Sequence, residues 1–142
     1  MLDERWHELT VAECHTLLRR GHLGRLAFVE NGMPVILPVN YVVDGGSVVF
    51  RTDAGSKLDA AARGAPVAFE VDGIDETNRT GWSVLVRGRA EQVTGETELA
   101  RLRQLPLVPW APGARPYYVR ISAHEVTGRR ITVAHLPSNW WG

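Results

Sequence analysis

The chain has 142 residues and carries 16 basic side chains against 16 acidic ones. A length of this size reads as one domain, residues 1–142, able to bury roughly two-thirds of the surface its unfolded chain would expose. With no net positive field there is no reason to expect nucleic acid or a membrane surface as partner. The single cysteine, Cys14, excludes an intrachain disulfide framework and fits a reducing compartment. The N-terminal stretch lacks a long apolar core, and no segment approaches the roughly 20 apolar residues of a membrane span, so a soluble cytoplasmic protein is expected.

In chain order, Thr10 and Glu13 form a capping-box pattern ahead of Val11, Cys14, Leu17 and Leu18 at helical spacing, with Gly21 as the stop. Leu23 to Glu30 reads as a strand. Asn31-Gly32 is a two-residue hairpin signal, and Met33 to Asp44 is the partner strand. Asp44-Gly45-Gly46 turns the chain into Ser47 to Thr52. A helix is expected from Lys57 to Arg63, ended by Gly64, then strands over Val67 to Asp72 and over Gly81 to Val93, the latter interrupted by Gly88. A third helix spans about Glu96 to Leu105, halted by Pro106, and a proline-rich loop leads into a last strand, Tyr117 to Ser122. Six or so strands joined mostly by tight turns, with few helices, predict a mainly antiparallel sheet closing into a barrel with flanking helices.

The corner after the third strand has the chemistry of an anion site. Ser56 is placed as a helix N-cap and Asp59, three residues on, completes a capping box, so free backbone N–H groups converge just past the strand end. Helix N-termini attract phosphate through those groups and the macrodipole. Lys57 adds a mobile charge, while Arg51 and Thr52 bring a planar fork of donors and a hydroxyl from the strand. The alternative is an ordinary strand-to-helix corner whose Arg and Lys face water.

Both faces of the second strand are apolar: Val35, Leu37, Val39 and Tyr41 on one side, Ile36, Pro38, Asn40 and Val42 largely so on the other. A small barrel has one interior, so the second face calls for a partner subunit or a bound planar ligand, unless the chain's own helices shield it. Pro38 inside a strand marks an edge or a local break. The tryptophan-bearing start of the fifth strand, at Trp82 and Val84, also favours a homodimer.

Six segments taken together carry a family resemblance: Gly24-Arg25-Leu26-Ala27, Pro38-Val39-Asn40-Tyr41, Val49-Phe50-Arg51-Thr52 followed by Gly55-Ser56-Lys57-Leu58, Phe69-Glu70-Val71-Asp72, Gly81-Trp82-Ser83-Val84 and Thr127-Gly128-Arg129-Arg130. In order and over nearly the whole chain, they resemble the pyridoxamine 5′-phosphate oxidase-like flavoproteins. The resemblance implies a split β-barrel with flavin mononucleotide (FMN) at a homodimer interface. It places Arg51, Thr52, Ser56 and Lys57 on the phosphate and Pro38, Val39 and Asn40 along the flavin ring. Trp82 and Ser83 would come from the facing subunit, and Trp110 from the same one. Branches similar to this one use a deazaflavin or bind haem. Oxidases of vitamin B6 end in a basic segment that helps to hold the substrate phosphate. The chain's last residues do not reproduce it, so oxidation of vitamin B6 is not expected.

None of the five histidines, His7, His15, His22, His124 and His135, stands at a metal-ligand spacing. The acidic group Glu70, Asp72, Asp75 and Glu76 lacks the glycine and spacing of a calcium loop. Nor is there a nucleophile, base and orienting residue in one pattern: Ser83 has no histidine paired with it. That deficit agrees with a protein whose cofactor carries the chemistry. The expectation is a flavin-dependent oxidoreductase acting on a small planar substrate. The alternative is a protein of the same fold that stores or binds a flavin-like ligand or haem without turnover. A sugar- or nucleic-acid-binding barrel is weakened by the neutral charge.

Overall fold

Turn chemistry sets the first half of the chain. In the computed structural model, which describes residues 6–53, 55–56, 61–109 and 113–132, strand β1 (Trp6–Glu8) is followed by helix α1 (Val11–Arg20). The capping box at the start of α1 is formed: the Thr10 hydroxyl accepts from the Glu13 N–H at 3.2 Å, and the Thr10 N–H donates to the Glu13 carboxylate at 2.9 Å. Cys14, Leu17 and Leu18 are its buried face, and Gly21 ends it. Asn31 and Gly32 both take positive φ, 50° and 77°, as a tight hairpin turn requires. They join β2 (Leu23–Glu30) to β3 (Met33–Asp44), and a turn at Gly45-Gly46 leads to β4 (Ser47–Thr52). The bounds of these three strands are those expected from the sequence.

The second half departs from expectation in length. β5 runs Arg63–Asp75 and β6 Thr80–Gln92; helix α2 covers Glu96–Leu102, and β7 runs Tyr117–Thr132. Arg63, assigned by sequence to the end of a helix, already belongs to β5; residues 57–60 of that helix lie outside the described residues. Past Leu102 the chain goes on in i+3 turns, Gln104 N–H to the Arg101 carbonyl and Leu105 N–H to the Leu102 carbonyl, so α2 stops three residues before the expected end. Thr127 and Gly128, beyond the expected end of the last strand at Ser122, lie inside β7 with Arg129 and Arg130, paired to β6. β1 had no sequence signal and is held by β7, through Trp6↔Ile131 to Glu8↔Arg129.

All the strand pairs are antiparallel, and their order is β1-β7-β4-β3-β2-β5-β6, with β7 also pairing β6. The sheet therefore closes on itself through β2 to β7, with β1 attached to the far half of β7. Alternation sends Leu26, Phe28, Tyr41, Phe50, Phe69 and Val86 into one interior. The Tyr41 ring meets Phe69 edge-on at 4.9 Å, and its hydroxyl donates to the Leu18 carbonyl at 2.6 Å, which ties α1 to the barrel. Burial pushes the Tyr41 hydroxyl up to about 12. A second cluster, Val49, Val93, Leu102, Leu107 and Tyr118, brings in α2.

An ion-pair network fastens α2 to the barrel. Arg101 grips both oxygens of Asp44 at 2.7 and 2.8 Å, and Arg120 reaches Asp44 at 2.8 Å and Glu98 at 2.6 Å. The hydrogen bonds from Arg101, and then those from Arg120, hold the Asp44 carboxyl well below the usual carboxylate range. A carboxyl with a depressed folded-state pKa contributes stability that is complete above its unfolded value of about 4 and is lost as the pH falls toward the folded value. Asp44→Asn is expected to lower stability at pH 7 by about 1–3 kcal/mol and to flatten the loss of stability below about pH 4. Denaturant melts of both proteins between pH 7 and pH 2 measure this, and parallel acid limbs would show that Asp44 is not responsible.

Candidate functional site

The barrel wall opens where β3 and β4 part. Their pairing runs from Asp44↔Ser47 to Tyr41↔Phe50 and, among the described residues, stops there. β4 continues beside β7, as Arg51↔Tyr118 and Thr52↔Tyr117. β3 goes on from Asn40 to Met33 beside β2 alone. Had the register continued, Asn40 would lie opposite Arg51. Instead Pro38, Val39 and Asn40 border a split, and Pro38, which has no N–H to offer, stands at an edge as its chemistry requires. Val39 turns inward and is buried. The Asn40 amide donates to the His22 carbonyl at 3.3 Å.

Across the split, the end of β4 is tightly organised. Thr52 is fully buried, and its hydroxyl lies 2.7 Å from that of Ser56, which itself donates to the Asp53 carbonyl at 2.8 Å. Thr52 thus supports Ser56 from below. Arg51 donates through Nε to the Arg115 carbonyl and through Nη2 to the Ala114 carbonyl, each at 3.0 Å, with its guanidinium 5.4 Å from the centre of the Tyr118 ring. Two of its five donors are engaged in this way. The Asp53 carboxylate accepts the Arg115 backbone N–H at 2.7 Å. The segment 113–116 is therefore latched over the end of β4 from both sides. Lys57 and Trp110 lie outside the described residues.

The remaining expected residues sit on β6. Trp82 and Ser83 are successive and so point to opposite faces. The Trp82 indole lies against the Gly73 backbone, so closely that a Cβ on Gly73 would come within 2.6 Å of Nε1. Trp82 and Pro38 line one groove of about 400 Å³, together with Gly24, Arg25, Val71 and Asp72. Arg25 bridges Glu70 at 2.9 Å and Asp72 at 3.3 Å. Burial, reinforced by the neighbouring Asp72, pushes the Glu70 carboxyl up.

Sequence reasoning gave no role to Arg25, which stands in the groove, or to Arg115, whose φ is 44° and whose buried Nε has no hydrogen-bond partner among the described residues. Position in a proline-rich loop carries no signal for such a residue. Among the described residues no three His, Cys, Asp or Glu side chains are grouped to hold a metal ion, and no helix is long and apolar enough to cross a membrane.

A closed antiparallel barrel, split where two strands diverge and edged on one side by cationic and hydroxyl donors, defines the class: a split β-barrel. The chain belongs to the pyridoxamine 5′-phosphate oxidase family, whose sequence pattern matches residues 10–130. An uncharacterised protein of Mycobacterium tuberculosis, Rv0080, is 40% identical over 129 residues, covering 87% of this chain and 84% of its own. The solved structure of the FAD binding protein from Mycobacterium smegmatis is 37% identical, with a TM-score of 0.78 over 89% of this chain and 98% of that one. A structure from Corynebacterium glutamicum, 34% identical, reaches a TM-score of 0.83 over 96% of this chain and all of its own.

Proposed function

We propose that the protein is a flavoprotein that binds FMN at the split and acts as an oxidoreductase on a small planar substrate. The observation that carries this reading is the divergence of β3 from β4. It leaves an apolar strand edge, Pro38 to Asn40, beside a strand end that bears Arg51 and Ser56, which suits a ligand with a flat ring at one end and a phosphate at the other. The donor set fits a phosphoryl group: a guanidinium with donors to spare, a Ser56 hydroxyl that would turn its one proton from the Asp53 carbonyl to the phosphate, and Lys57 next in sequence. The bound flavin supplies the electron and hydride transfer. The chain's own residues hold the phosphate and place the ring along Pro38, Val39 and Asn40.

The cofactor is shared in a homodimer, with Trp82, Ser83 and Trp110 contributed by the facing subunit. Supporting this, β2 and β3 turn a common apolar face outward through the pairs Val29↔Pro34 and Ala27↔Ile36, where Val29 and Ile36 are 67% and 66% exposed. FAD in place of FMN is a second reading, favoured by the 37%-identical FAD binding protein.

The absorption spectrum of the purified protein tests the flavin reading, and chromatography of the released cofactor decides between FMN and FAD. A deazaflavin spectrum or a Soret band would redirect it, and a colourless protein that takes up no flavin would end it. Light scattering is expected to give a mass near twice the 15.7 kDa chain. A monomer with full cofactor occupancy would remove the shared site.

A further inference from the structure

Resting on the flavin-nucleotide reading, we propose that Arg115 is a further phosphate-binding residue of the site, presented by a strap at 113–116 that Arg51 and Asp53 latch onto the end of β4. Its backbone is held at both polar atoms: the carbonyl accepts from Arg51 Nε at 3.0 Å, and the N–H donates to the Asp53 carboxylate at 2.7 Å. It is also held in a conformation that side-chain-bearing residues rarely adopt, with φ at 44° and with Pro116 behind it further restricting its backbone. Strain of this kind persists only where the surroundings enforce it, and it gathers where a side chain has to be aimed. The side chain aimed here is a guanidinium whose Nε is buried without a partner among the described residues.

A buried guanidinium N–H with nothing to donate to is unfavourable unless an anion arrives. The nearby carboxylate of Asp53 already has one oxygen on the backbone N–H of Arg115 itself. Arg51 has given two donors to the strap's carbonyls. The strap thus converts part of the donor capacity of Arg51 into a fixed position for a second guanidinium. A flavin nucleotide phosphate lying beside Ser56 would meet both cations.

The test is titration of the apoprotein with FMN, FAD and riboflavin, followed by flavin fluorescence. Arg115→Ala is expected to weaken FMN and FAD about tenfold or more while changing riboflavin less than about twofold, because only the nucleotides carry phosphate. Arg115→Gly removes the same charge and also relieves the positive φ. It is expected to melt at or above the wild-type temperature and still to lose nucleotide affinity, a combination that a merely structural role would not give. Unchanged FMN affinity in either folded variant, or equal weakening of riboflavin, overturns the assignment and leaves the flavin site standing. Wild-type protein that binds none of the three ligands overturns the flavin reading itself and the role of Arg115 with it.

Discussion

Gly88→Ala is expected to destabilise the protein by about 3 kcal/mol or more, at the upper end of what overpacking one site costs. A Cβ at position 88 would stand 1.9 Å from the Ser122 carbonyl oxygen and 2.9 Å from its carbon. Both are backbone atoms of the neighbouring strand, so no side chain can turn aside. The strand pairing also shifts register here, from Arg87↔Glu125 to Gly88↔Ala123, which leaves His124 as the extra residue of a bulge. The bend brings the β7 backbone onto β6, and relief would require undoing the register of the long β6–β7 ladder. The Arg87–Glu125 ion pair beside it is half-exposed on both sides and contributes about 1 kcal/mol at most, so it cannot hold the strands against the clash. Urea unfolding measures the effect. A loss below about 1 kcal/mol would show that β6 and β7 slide freely at this point.

At the site, Lys57→Ala and Arg51→Ala are each expected to weaken FMN binding about tenfold or more and riboflavin binding far less. In the proposed site only the phosphate ester would meet these charges, and a charge-assisted hydrogen bond contributes about 1.5–3 kcal/mol. Lys57 is included on the strength of the sequence alone. Arg51 has the additional task of holding the strap at 113–116, so its loss is expected to be the larger of the two. Calorimetric titration with both ligands separates the cases. Equal weakening of FMN and riboflavin would move the phosphate away from this corner.

The sequence reading succeeded where short-range chemistry decides. Asn31-Gly32 and Gly45-Gly46 demand turns whatever surrounds them, so β2, β3 and β4 were legible to the residue. It failed where long-range pairing decides. Thr127-Gly128 has the look of a turn, but the glycine is there for room: a Cβ on Gly128 would come within 2.7 Å of the Cys14 sulfur and 3.0 Å of the Ser83 carbonyl oxygen. Only the folded chain brings those atoms together. Strand β1 is three residues long and has no pattern of its own; it exists because β7 offers it an edge. At the candidate site, the edge character of Pro38 and the donor set at Arg51 and Ser56 followed from residue chemistry. The use of Arg51 as a latch and the strained Arg115 did not, because each depends on contacts between the end of β4 and a loop more than 60 residues away in sequence.

The closing role of β7 bears on how the molecule reaches its native state. This strand joins β4, through residues 48–52, and β6, through residues 80–92, so the ring is complete only when the last described strand docks between partners far away in sequence. The β2–β3–β4 meander can form early from local contacts, whereas joining its free side to β7 requires closing a loop of some 65 residues, whose entropy is lost before the pairing repays it. Topologies dominated by such non-local pairs fold in milliseconds to seconds, far more slowly than helical bundles of the same size. Until β7 arrives, the outer edges of β4 and β6 stay unpaired, and on the ribosome they are open to the strands of neighbouring chains.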